Sequence, residues 1–139
     1  MAYLNFLLDV TEQSDGKICI SVLESPVGEA TVTVENPFTP DDIAAMRALI
    51  TAETTNRFQA TRQAREIGQR LFHFLIRQHE DINAAYFASL DRAGNDGLRI
   101  RLSTDKAGAL AELPWELLAD PSRDFLALSR LTPLVRYAQ

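Results

Sequence analysis

The apolar pattern changes period at Thr39, and that change confines the chain to a mixed fold. Before it, apolar residues alternate. Leu4, Phe6, Leu8 and Val10 fall on one side of residues 3–10, with Asn5 and Asp9 on the other. Ile18, Ile20 and Val22 repeat the alternation, and Val32 and Val34 repeat it between Thr31, Thr33 and Glu35. A period of two marks a strand with one buried face. Residues 12–16 and 25–29 are rich in Gly, Pro, Ser and Asp, which suit turns. Three short strands joined by short turns predict an antiparallel β-meander over residues 1–36.

After Thr39 the spacing becomes three and four. Thr39-Pro40-Asp41-Asp42 is a helix start: Thr39 caps, Pro40 suits the first helical position, and the aspartates sit at the positive end of the dipole. This helix runs to about Ala52 with Ile43, Met46 and Ile50 on one stripe. A second covers residues 56–79, with Ala60, Ala64, Ile67, Leu71 and Leu75 inward and Gly68 and Phe72 beside them. Glu66 and Arg70 have the favourable i, i+4 order for an ion pair. A third, short helix is expected over residues 81–91. Leu98, Ile100 and Leu102 alternate with Arg99, Arg101 and Ser103 as another strand, and residues 113–118 form a short helical turn. Residues 125–129 and 134–137 read as short strands. The fold class is α+β: an N-terminal antiparallel meander packed on two main helices, with further short strands and a short helical turn at the C-terminal end. Residues 1–139 form one domain, with the meander at 1–36, a helical part at 39–91, and a strand and Trp-containing segment at 97–139.

The 139 residues include 14 basic and 19 acidic side chains, a net charge of −5 that argues against a general nucleic-acid binder. No run approaches the ~20 apolar residues of a membrane span, and the N-terminus lacks the basic start of a signal peptide. These features predict a cytoplasmic protein without membrane or nucleic-acid partners. The one cysteine excludes an internal disulfide and a multi-cysteine metal site.

Side chains that could carry chemistry are scarce. Cys19 lies between Ile18 and Ile20 and reads as a packed thiol. His73 and His79 are six apart on one helix, not at the i, i+4 spacing of a helical metal pair. His73 is expected in solvent, and His79 near a helix end, where a partly charged imidazole suits the dipole. No catalytic residue, cofactor or metal is assigned. The basic stripe Arg62, Arg65, Arg70 and Arg77 is a solvated face or a partner surface. The densest feature is Trp115. Its indole N–H needs an acceptor, Glu116 beside it is expected to be partly buried and to need a cation, and Arg136 is the candidate. The trio reads as a structural ion pair beside an anchored ring. The sharper alternative makes Glu116, with Arg99 and Arg101, a site for a small anionic substrate.

Leu113-Pro114-Trp115-Glu116-Leu117-Leu118, Asp120-Pro121, Phe125-Leu126-Ala127-Leu128-Ser129 and Leu134-Val135-Arg136 together resemble the entry segment of CHAT domains. These are caspase-like proteins related to separase, often found behind tetratricopeptide repeats. Ile67-Gly68-Gln69-Arg70-Leu71-Phe72 resembles a helix of that family, and Gly97-Leu98-Arg99-Ile100-Arg101-Leu102 resembles one of its strands, so the match spans about residues 65–137. The resemblance implies a cysteine peptidase of the caspase clan, a class associated with regulated proteolysis and bacterial defence. That family's histidine stands in a His-Gly context and its cysteine ends a later strand. Here His73 stands in Phe72-His73-Phe74, His79 in Gln78-His79-Glu80, and Cys19 lies upstream of the match, so no catalytic position carries over. The expectation is the non-catalytic N-terminal module of a CHAT peptidase, packing against or regulating a protease core that lies beyond Gln139. Its partner would be that core or another protein, with homo-oligomerisation as a further expectation. The alternative is a free-standing protein-interaction module without enzymatic activity.

Overall fold

A computed structural model describes residues 2–51, 57–122 and 124–136. Its first three strands are β1 (Leu4–Glu12), β2 (Ile18–Glu24) and β3 (Ala30–Val34), paired antiparallel in sequence order. Across these pairs Val10 meets Ile20 and Ile20 meets Val32, so the alternating apolar residues share one face. A register shift between Leu7 and Leu8 interrupts the β1–β2 ladder.

Helix α1 (Pro40–Thr51) starts as its sequence dictates. The Thr39 hydroxyl accepts from the Asp42 amide at 3.1 Å, and the Asp42 carboxylate accepts from the Thr39 amide at 3.0 Å. This reciprocal capping box satisfies two otherwise orphaned donors. The Thr39 amide bond, with help from Arg70, holds the Asp42 carboxyl below the usual carboxylate range. Ile43 and Met46 are buried, whereas the side chains of Ile50 and Ala60 lie outside the described residues.

Helix α2 (Arg57–Phe72) widens into a π-helical turn at His73–Arg77, so residues 56–79 are not one uniform α-helix. The wider turn lets three consecutive side chains, Phe74, Leu75 and Ile76, all be buried, which a 3.6-residue period does not allow on one face. Helix α3 (Glu80–Ala93) follows and touches β1, β3 and β4. Tyr86 on α3 packs edge-on against Phe6 at 5.6 Å and against Phe72 at 5.5 Å, joining sheet, α3 and α2.

Strand β4 (Leu98–Ser103) then lies parallel to β1, with Leu4 opposite Leu98 and Phe6 opposite Ile100. Two 3₁₀ turns, Gly108–Glu112 and Trp115–Leu117, lead to a ribbon of β5 (Ala119–Asp120) and β6 (Asp124–Phe125). The expected strand over 125–129 stops at Phe125. Leu126–Leu128 is another 3₁₀ turn, because Leu126 turns into the core and its amide bonds the Leu118 carbonyl at 3.0 Å. Strand β7 (Leu134–Arg136) pairs parallel to β4; residue 137 lies outside the described residues. The main sheet has the order β3-β2-β1-β4-β7, antiparallel on one side of β1 and parallel on the other. The architecture is α+β, and the third helix expected over residues 81–91 spans Glu80–Ala93. One cluster, from Phe6 on β1 to Leu126, forms a single core between sheet and helices. No helix among the described residues is long and apolar enough to cross a membrane.

Gly68 sets how closely α2 approaches the Trp115–Leu117 turn. A Cβ at this position would collide with the Leu117 carbonyl oxygen and lie 3.0 Å from the Ala119 Cβ. The obstacle is backbone, which cannot rotate away as a side chain would. Gly68→Ala is therefore expected to destabilise the fold by about 3 kcal/mol, the upper end for overpacking. A urea unfolding midpoint lowered at unchanged slope would register that loss, and an unchanged midpoint would contradict it.

Candidate functional site

The region around Trp115 is built by three contacts. The Trp115 side chain is fully buried, its Nε1–H donates to the Leu110 carbonyl at 2.9 Å, and its ring lies 6.5 Å from that of Phe74. The Leu117 amide closes on the Pro114 carbonyl at 2.9 Å, fixing the turn. In a 3₁₀ turn successive side chains point about 120° apart. With Trp115 inward, Glu116 is driven outward, and its side chain is 60% exposed rather than partly buried as expected.

Arg136 reaches this turn from β7. It donates to Glu116 Oε1 at 3.2 Å, to the Ala111 carbonyl at 2.8 Å and to Thr104 Oγ1. The guanidinium thus ties β7 to the end of β4, the Gly108–Glu112 turn and the Trp115 turn at once. Only one of its three acceptors is Glu116, and that pair is open to water. A double-mutant cycle is expected to show the asymmetry. Arg136→Met should cost about 1–3 kcal/mol, because Ala111 and Thr104 lose their donor. Glu116→Gln should cost under about 1 kcal/mol, as exposed pairs do. Equal losses would mean that the Glu116 pair dominates.

The four arginines of the basic stripe do not form a common surface. Arg62 pairs with Glu66 at 3.5 Å. Arg70, expected to pair with Glu66, instead reaches Asp42 at 3.6 Å and stacks 4.8 Å over Phe38. The α1 cap and the aromatic face outcompete an exposed pair on its own helix. Arg65 grips Asp124 through two bonds of 3.1 Å and lies 5.9 Å over Phe125. This grip holds the Asp124 carboxyl below its ordinary range. It also steadies Asp124 at a positive φ of 81°, a conformation that costs little for Asp beside bulkier residues. Arg77 is exposed.

The other candidates lie apart. Cys19 projects from the far face of the sheet, its sulfur 3.7 Å from Ser21 Oγ. Arg99 and Arg101 stand opposite Asn5 and Leu7 on that face, with Arg99 5.3 Å over the Tyr3 ring. Arg136, level with Leu102, points to the helical side, so Glu116 and the β4 arginines occupy opposite faces and do not converge. Among the described residues no group of three His, Cys, Asp or Glu could hold a metal.

His79 differs most from its expected setting. It follows the end of the π turn, but it is buried as the N-cap of α3, where the partly charged ring expected near a helix end is disfavoured. The π turn explains its place. The Gln78 amide bonds the His73 carbonyl and the His79 amide bonds Ile76, which leaves the Phe74 carbonyl for side chains. His79 Nε2 donates to that carbonyl at 2.8 Å and Gln78 Nε2 at 3.1 Å. Burial pushes the His79 pKa down, with the Phe74 bond opposing and His73 adding to the shift. The folded state therefore prefers the neutral ring. Its contribution is complete above the ordinary histidine pKa of 6.5 and is lost as pH falls through the lower folded value. His79→Gln is expected to flatten that acid limb. Thermal melts of both proteins between about pH 7 and pH 5 check this, and parallel curves would assign the limb to other groups.

Depressions among the described residues include three of note. Two larger ones, of about 500 and 360 Å³, share Leu131 and lie at the amino ends of β1 and β4, beside Tyr3 and Leu98. Ligands of open α/β sheets bind at the opposite, carboxyl ends. The third, of about 250 Å³, lies between α2 and the Trp115 segment and is lined by Ala64, Glu116, Leu117, Phe125, Ala127 and Leu128. On the helix side its lining is the small side chain of Ala64. Leu128 at its rim is 81% exposed, the most exposed large apolar side chain among the described residues. The sequence offers no periodic signal for that position. Searches with protein-family models, against curated proteins and against solved structures found no match.

Proposed function

We propose that the chain is the non-catalytic N-terminal module of a caspase-like, CHAT-type cysteine peptidase, and that it packs against the protease core. The observation that carries this reading is the parallel side of the sheet. Parallel strands are normally interior, with partners on each edge and layers on both faces. Here β7 joins β4 in parallel and no described strand pairs with its other edge. The face away from the helices leaves Leu23 42% and Val135 44% exposed. A core whose first strand continues the sheet beyond β7 supplies what that edge lacks.

Two further points support the reading. The separate stretches that resemble CHAT domains meet in space: Gly68 abuts Leu117, and β4 pairs with β7. The chemistry-bearing residues are engaged apart from one another, Cys19 beside Ser21 and His79 on the Phe74 carbonyl. The module then positions or regulates a dyad supplied by the core, in the cytoplasm.

The deciding experiment reads the gene beyond the codon for Gln139. An open frame encoding a His-Gly pair and a later cysteine after a strand is the expected result. A stop codon directly after Gln139 overturns the proposal in favour of a free-standing interaction module.

A further inference from the structure

The 250 Å³ groove is smaller than the ~300–1,000 Å³ of typical small-molecule sites. It suits an inserted apolar side chain better than a ligand. Leu128 lines this groove and also stands out from it, so a knob and a hole lie side by side on one surface. That arrangement is self-complementary, which is the requirement for a two-fold contact between identical chains.

Charge points the same way. Two copies of a chain with net charge −5 repel unless they meet through a balanced patch. Two ion pairs of opposite charge stand beside the groove: Arg65 with Asp124, next to Phe125, and Arg136 with Glu116. Each pair is partly open to solvent, so a two-fold contact can exchange partners, Arg65 of one copy reaching Asp124 of the other. An apolar centre inside a polar rim is the usual anatomy of a protein interface.

We propose that this groove is a homodimer interface in which Leu128 of each copy enters the groove of the other. The inference stands independently of any protease core, since it uses only groups on this surface.

Sedimentation velocity of the 139-residue chain over a concentration series tests it, with four proteins compared: unchanged, Leu128→Glu, Leu49→Glu and Val135→Glu. All three replaced side chains are solvent-exposed, at 81%, 39% and 44%, and circular dichroism verifies that each variant is folded. The unchanged chain should show a concentration-dependent dimer. Leu128→Glu should raise the dissociation constant at least tenfold, while Leu49→Glu on α1 leaves it unchanged. A chain that stays monomeric at every concentration overturns the proposal. So does a dimer indifferent to Leu128→Glu, or one abolished by Val135→Glu alone, which would place the contact on the sheet. None of these results bears on the reading frame beyond Gln139, so the two proposals fail separately.

Discussion

The close approach of Gly68 to the Leu117 carbonyl governs this structure. Without a Cβ, α2 lies directly against the Trp115–Leu117 turn, and every feature of that end of the molecule follows. The turn faces Trp115 inward to Phe74 and Glu116 outward to Arg136. Ala64, one turn earlier on α2, continues the shallow surface and leaves the groove beneath Leu128. A larger residue at position 68 would push the Trp115 turn off the helix and take the Arg136 contacts with it.

Arg136 is the second fixed point. A three-residue parallel strand has few ladder bonds of its own, and β7 gains its hold from a side chain. The guanidinium presents several donors in one plane, which lets it serve Glu116, Ala111 and Thr104 together. Arg136 thus has a structural task within this chain, on the strand that ends the parallel side of the sheet among the described residues.

The π turn at His73–Arg77 shows how one local irregularity shapes a side chain's chemistry. It buries three successive apolar residues and strips the Phe74 carbonyl of a backbone partner. His79 and Gln78 then satisfy that carbonyl, and the burial that comes with this position pushes the His79 pKa down although the Phe74 bond opposes the shift. Nothing in the spacing of His73 and His79 signals this, because helical wheels assume a uniform period.

What the sequence determined by itself is local. The alternation of Leu4 to Val10 and Ile18 to Val22, the Thr39-Pro40-Asp41-Asp42 cap, and the Leu98–Leu102 alternation each set an element through neighbours a few residues apart. The tryptophan segment stood out for the same reason, since a large ring needing an acceptor constrains its own surroundings. Only the tertiary structure decided the parallel placement of β4 beside β1, the outward turn of Glu116 and the dispersal of the arginine stripe to Glu66, Asp124 and Asp42. It alone also created the groove below Leu128. These depend on pairs of residues far apart in the chain, whose energies come from packing and ion pairing across elements. No periodicity within either partner encodes which of them will meet.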